Sequence, residues 1–413
     1  MANVYRLQEL HVNNEAAFAE NAETPASNTF DTYLPALSCT LTVDQERIRD
    51  MGYRSRMNEE NLSNLGIRVA AIEFEQHLCG HFTTTAGALT PTQQWTLLKD
   101  GLGGGSSAMN GTTISAATTG ASYTFTSSVG LAAGMLGRIG SKAEARGNGQ
   151  LFVANSVAGP VTSLISLPGT PSNGDVVYAM LQAYHDESVA STLTTKRFEG
   201  CWSSSPTTGL QFQILGCQLA GVKMTFPQDG TMPRITFRYL GAYWQRYAST
   251  VPSALTMGNH YTGPVAAGSM FVQAVGTSTR NTETPASIEL DLDLGLEPII
   301  GPGGNGTYQT IVGWQRTGCK PTLTLQIPWE DSYETWFDTN NSSIVAKHIG
   351  FNTNASDGRC FAFYMPNAIP VGNKPSKPIE VNGQAYVPVT FLGRDGTTTT
   401  SELTRSAIRF GIG

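Results

Sequence analysis

Apolar and polar residues alternate at every second position through most of this chain, as in Leu210-Gln211-Phe212-Gln213-Ile214 and Ile235-Thr236-Phe237-Arg238-Tyr239. Successive side chains of a strand point to opposite faces, so such segments become strands with one face in a core and the other in water, the habit of antiparallel sheets. Val69 to Glu75, Val176 to Tyr184, Ile288 to Leu294, Pro321 to Ile327 and Tyr386 to Phe391 carry the same period. Clusters of Gly, Asn, Pro and Ser separate them and mark turns. The chain therefore reads as mainly β.

Two segments predict helix instead. Thr90-Pro91-Thr92-Gln93 offers a capping Thr, a proline suited to the first helical position and a capping-box Gln, with Trp95, Leu98 and Leu102 following at helical spacing. Glu330 to Asp338 places Tyr333, Trp336 and Phe337 on one stripe behind an acidic first turn.

The two helices occupy equivalent places, which predicts an internal duplication. Thr40 and Phe74, on strands before the first helix, are 34 positions apart, as are Glu289 and Leu323 before the second. Pro233 to Phe237 followed by Gly241 matches Pro388 to Phe391 followed by Gly393. The early strands are offset by 249 positions and the late ones by 154, so the first copy holds about 95 extra residues. The expected division is a first unit over 1–250, with a Gly/Ser/Thr-rich insertion at about 101–200, and a second over 251–413.

Composition narrows the function. Only 14% of the 413 residues are charged, against about 25% in an average soluble domain, and 44 Gly and 21 Pro accompany them. The net charge of −6 excludes a protein that coats DNA, because binding to phosphates without sequence preference needs an excess of Lys and Arg. No window has the apolar length of a membrane span, and the segment after Met1 has no signal-peptide core, so the expectation is a protein made in a cytoplasm without membrane insertion. Six widely spread cysteines with no C-x-x-C pair suit free thiols.

Two stretches depart from the average. Gly101 to Gly137 has no charged residue and reads either as a loop or as flat strands covered by a neighbour. Asp44 to Asn64 is rich in both signs, with Arg47, Arg49, Arg54, Arg56, Glu59 and Glu60 among them. It reads as a solvated connection or as a loop reaching toward a copy of itself.

Signatures of chemistry are missing: no G-x-S-x-G, no G-x-x-x-x-G-K-[ST] and no H-E-x-x-H occurs. His77-Leu78-Cys79-Gly80-His81 is the best metal candidate, but it supplies no fourth ligand, and a histidine pair without metal is the favoured reading. Glu289, Asp291 and Asp293 share one strand face opposite Leu290, Leu292 and Leu294, which reads as a polar wall toward water. Tyr243, Trp244 and Tyr247 lack the basic interleaving of a base-stacking platform and predict a core or a subunit contact. No catalytic residue, metal site or cofactor is assigned.

The chain resembles the tail tube (major tail) proteins of long-tailed bacteriophages, in their duplicated form. The resemblance rests on Glu15-Ala16-Ala17-Phe18-Ala19-Glu20 before a first strand, Ile67 to Gly80 before a helix, Ile288 to Leu294 with its Gly-rich turn, Met232 to Trp244, and Ser406-Ala407-Ile408-Arg409-Phe410. It implies two tandem β-sandwich or split-barrel domains with one helix each, assembled as stacked rings around a DNA channel that closes a continuous β-barrel. The duplicated form implies trimeric rings of pseudo-sixfold symmetry in the virion tail, assembled in the host cytoplasm. Implied partners are further copies of the chain, tape-measure, tail terminator and distal tail proteins, and genomic DNA in transit without tight binding. On that reading Glu289, Asp291 and Asp293 face the lumen, while Arg47, Arg49, Arg54, Arg56, Glu59 and Glu60 contact the next ring. The chain is then a structural protein and no enzyme. The alternatives are another phage structural protein, a head decoration or receptor-binding fibre, and less readily a carbohydrate-active enzyme.

Overall fold

The alternating segments form strands because that arrangement alone buries every second side chain while pairing each backbone group with a neighbour. A computed structural model describes residues 7–19, 32–50, 61–79, 82–83, 89–90, 92–105, 116–119, 122–125, 132–143, 149–156, 162–165, 177–189, 193–202, 210–227, 231–247, 266–302, 309–329, 345–354, 360–371, 378–381, 383–396 and 401–412. The elements that matter below are β1 (Leu7–Asn14), β2 (Ser38–Asp50), β3 (Asn61–His77), α1 (Gln93–Leu102), β4 (Leu181–His185), β5 (Lys196–Trp202), β6 (Leu210–Pro227), β7 (Arg234–Gly241), β8 (Ala266–Ala274), β9 (Ser287–Asp293), β10 (Leu296–Pro302), β11 (Gln309–Arg316), β12 (Lys320–Pro328), β13 (Lys347–Asn354), β14 (Phe361–Pro370), β15 (Gln384–Gly393), α2 (Glu402–Arg405) and β16 (Arg409–Ile412).

The chain is mainly β, as its period predicts, and its pairings are antiparallel. One layer runs β2, β3, β7, β6, β9, β12, β15 in spatial order. A second layer runs β8, β13, β14, β16, β4. The sheets stack as a sandwich and, among the described residues, do not close into a barrel. Phe226 of β6 lies 4.6 Å, ring to ring, from Phe351 of β13 and also touches Phe361 and Phe363 of β14, so aromatic side chains join the two layers. Burial of each such side chain stabilises the fold by roughly 1.5–3 kcal/mol. On the same face of that layer, Phe74 and Tyr239 pack on Phe198 of β5.

β6 belongs to two sheets. Its first half pairs with β5 and with Tyr243–Tyr247, and its second half with β7 and β9. The change falls at Gly216, whose φ of 64 lies in the left-handed region that glycine tolerates. The buried Glu15 carboxylate accepts the Gly216 N–H at 3.0 Å, and the Trp314 indole donates to the Gly216 carbonyl at 2.7 Å. A bend that would leave backbone groups unpaired is thereby satisfied from both sides.

α1 starts two residues later than the sequence suggests. Thr92, not Thr90, caps it, with its side chain accepting the Trp95 N–H, so Gln93 is the first helical residue and completes no capping box. Trp95, Leu98 and Leu102 are buried as expected. Gly103 ends the helix at φ 92, and the Arg316 guanidinium donates to the terminal carbonyls of Gly101 and Leu102, where a cation suits the helix dipole. The helix expected over Glu330 to Asp338 lies outside the described residues. α2, with Ser401 and Thr404 forming a reciprocal cap, was not expected from sequence.

The segment Asp44 to Asn64 is not simply a connection. β2 and β3 continue into it as a paired ribbon, with Arg47 opposite Leu65 and Asp50 opposite Asn61. Within the uncharged stretch, Ala116–Thr119 pairs with Ser122–Phe125. Further on, Leu136–Ala143, Gly149–Ser156, Thr162–Ser163 and Val177–Ala179 make a separate four-stranded sheet. Its Leu136, Leu151 and Val153 pack with Phe271 of β8 and Tyr364 of β14 in a satellite core.

The same three-strand pattern occurs twice in the first layer: β2, β3, β7 and β9, β12, β15. Phe74 stands opposite Phe237, and Leu323 opposite Phe391, matching the equivalences drawn from sequence. The first strands differ by two residues from that reading, since Cys39 faces Phe74 whereas Leu290 faces Leu323. β6 lies between the two triplets and joins them into one sheet.

Candidate functional site

The first layer buries one face and presents the other. Ile72, Phe74, Phe237, Val222, Met224, Leu290, Leu323 and Val389 point into the core. The residues between them form three rows that cross the sheet. One row reads Ser38, Glu75, Thr236, Lys223, Asp291, Thr322. The next reads Thr40, Glu73, Arg238, Gly221, Asp293, Lys320. The third reads His77, Arg234, Thr225, Glu289, Thr324, Thr390. Threonine fills six of the nine uncharged positions, a β-branched residue that suits a strand and hydrogen-bonds across it, as Thr324 and Thr390 do at 3.3 Å.

Glu289, Asp291 and Asp293 do share this face, with Asp291 and Asp293 exposed and Glu289 half-buried. They are not an isolated acidic wall. Lys223 Nζ lies 2.7 Å from Glu289 Oε1, and Arg234 Nη1 lies 3.1 Å from Glu75 Oε1. The hydrogen bond to Glu289 raises the Lys223 pKa above its ordinary value, and partial burial opposes it. Lys320 stands opposite Asp293, and Arg238 opposite Glu73. Gly221 leaves a shallow depression between Arg238 and Asp293, and a Cβ there would press the Leu292 carbonyl at 2.9 Å. Sequence reading missed Glu73, Glu75, Lys223, Arg234, Arg238 and Lys320 as members of this face. For Glu73, Glu75, Arg234, Arg238 and Lys320 the alternation of their own strands carried the signal.

Among the described residues no strand pairs with the outer edge of β2, which leaves an edge of 13 residues. Cys39 and Leu41, on its inner face, are only partly buried, and Leu37 just before it is 48% exposed. Exposed apolar side chains gather at the two ends of this layer. Leu37, Met232, Trp329 and Ile379 lie near the end where β2 begins, whereas Ile299, Ile300 and Val312 lie on the β10–β11 hairpin that springs from the opposite end. Of the residues expected at a ring-to-ring contact, Arg47 and Arg49 lie on β2 and are not brought to the three rows. Arg54, Arg56, Glu59 and Glu60 fall outside the described residues.

His77 ends β3 and Cys79 Sγ donates to the His77 carbonyl, a local turn that gathers no ligand set. Among the described residues no group of three His, Cys, Asp or Glu side chains is placed to hold a metal ion. No described helix is long and apolar enough to cross a membrane.

No protein-family model matches the chain, and no curated protein matches it. Among solved structures, one alignment is to the cryo-EM structure of the anti-feeding prophage (AFP) baseplate, 6-fold symmetrised. It has 12% identity and a TM-score of 0.26, over 32% of this chain and 91% of that one. A score of that size assigns neither fold nor function.

Proposed function

We propose that the chain is a tail tube protein of a long-tailed bacteriophage, polymerising into stacked rings whose channel conducts DNA. The observation that carries this reading is the polar face, which runs from β2 to β12 and reaches β15 at Thr390. A face of this kind suits the wall of a water-filled channel. Carboxylates alternating with Lys and Arg leave a passing polyanion without the cationic excess that would hold it by counterion release.

The edge of β2 supports assembly. A long edge with a half-covered inner face is a template for pairing, and a closed ring of subunits removes it. Apolar residues at opposite ends of the layer suit a head-to-tail contact, the kind that repeats into a filament instead of closing as a dimer. Three chains with two strand triplets each would give a ring of pseudo-sixfold form. Electron microscopy of the concentrated protein tests the reading. Rings or tubes are expected, and a protein that stays monomeric at every concentration would overturn it.

A further inference from the structure

Arg409 of β16 is 2% exposed, yet among the described residues it has no carboxylate partner. Its Nη1 donates to the Gly134 carbonyl at 3.0 Å and its Nη2 to the Thr404 carbonyl at 2.9 Å. Its Nε has no partner, and the guanidinium stands 5.5 Å from the centre of the Tyr364 ring. Two main-chain oxygens thus fix the plane of the group without neutralising it. Burial accordingly lowers its pKa, the mark of a cation short of a counter-ion.

A charge so placed is costly to keep unless something compensates it. Arg409 lines a cleft with Gly134, Asn155, Gln273, His348 and Thr404. Gln273, His348 and Thr404 are buried, and none of the described residues lining the cleft is acidic. The cavity volume is about 260 Å³, room for a small ion or for the end of one side chain. His348 holds its Nδ1 2.8 Å from the Tyr364 hydroxyl, which anchors the ring against the same aromatic wall. Gly134, at φ 89, permits the close approach, since a Cβ there would come within 3.2 Å of Arg409 Nη1.

We propose that this cleft is an oxyanion site, in which Arg409 is the charge partner of one carboxylate or phosphate group. Guanidinium groups bind such oxyanions through paired N–H donors, and a plane already fixed by carbonyls loses little freedom on binding. The site is independent of the polar sheet face and of the proposed assembly.

Inorganic phosphate is the probe, followed by phosphorus NMR with the full chain, and acetate is then added as competitor. The expected result is saturable broadening of the phosphate signal. Displacement by acetate assigns the site to carboxylates as well, and resistance to acetate assigns it to phosphate. Asn155→Asp places a carboxylate at the exposed rim and should weaken phosphate binding about tenfold or more without disturbing the fold. Arg409→Lys should do the same where it folds, because it keeps the charge and loses the fork. Absence of saturable binding, or equal binding by Asn155→Asp, would overturn the site.

Discussion

Lys223 reaches past Asp291, the residue opposite it on β9, to bind Glu289 at 2.7 Å. The diagonal pair leaves Asp291 beside a cation already engaged, so the polar face combines local pairing with residual negative charge. Both partners are about half exposed, 49% and 47%, which limits the pair to roughly 0–1 kcal/mol. Its consequence is for the surface that a ligand or a passing polymer meets, more than for stability.

Replacing Glu289, Asp291 and Asp293 together by Lys should leave the fold intact, because all three side chains point away from the core. Thermal denaturation should shift by only a few degrees. In a virion the same variant should assemble tubes and slow DNA ejection, since seven neighbouring positions would then attract phosphates. Ejection at the wild-type rate would remove these residues from the channel wall.

Glu15 gives the molecule a pH dependence. Burial pushes its carboxyl up from 4.5 to about 7, with the Thr195 and Gly216 hydrogen bonds and Arg197 opposing. A folded pKa above the unfolded one means that stability is full below about 4.5 and declines as pH rises through about 7. Denaturant unfolding should show a loss of roughly 3 kcal/mol between acidic and mildly alkaline buffer from this group. Glu15→Gln keeps an acceptor for the Gly216 N–H and should flatten that dependence. An unchanged slope in the variant would place the titration elsewhere.

Phe226→Ala should cost about 3–5 kcal/mol, because it opens a cavity where β6 meets β13 and β14 between the two layers. Calorimetry of the variant measures it. A loss below about 1 kcal/mol would mean that the layers close over the gap.

Strands whose two faces differ were legible in the sequence, and those whose faces are alike were not. β9 and β12 alternate because each has one face in the core and one toward water. β6 alternates at its start, Leu210 to Ile214, but from Leu215 to Val222 every residue is buried, and the period vanishes where the strand passes between two sheets. Gly216, Cys217 and Gly221 then resemble a turn. The ribbon of β2 and β3 carries adjacent charges such as Glu46 and Arg47, which hid its strands. The Arg409 cleft left no signal, because Gly134, Gln273, His348 and Arg409 come from four distant segments that only the fold assembles.

Deleting residues 46 to 60 should give folded rings that fail to stack. The deletion removes Arg47, Arg49, Arg54, Arg56, Glu59 and Glu60 and spares the pairs from Ser38 to Gln45 that hold the sheet. Exposed charges are screened within about 8–10 Å at ordinary ionic strength, so added salt should mimic the deletion in part. Tubes of wild-type length from the deleted protein would show that residues 46 to 60 carry no stacking contact.

The orientation and number of chains in an assembled ring test the account most directly. A cryo-EM reconstruction of tubes grown from the purified chain should show three chains per ring, with Glu289, Asp291 and Asp293 directed into the channel. Six identical chains per ring, or a ring in which that face of the sheet lies on the outside, would contradict it.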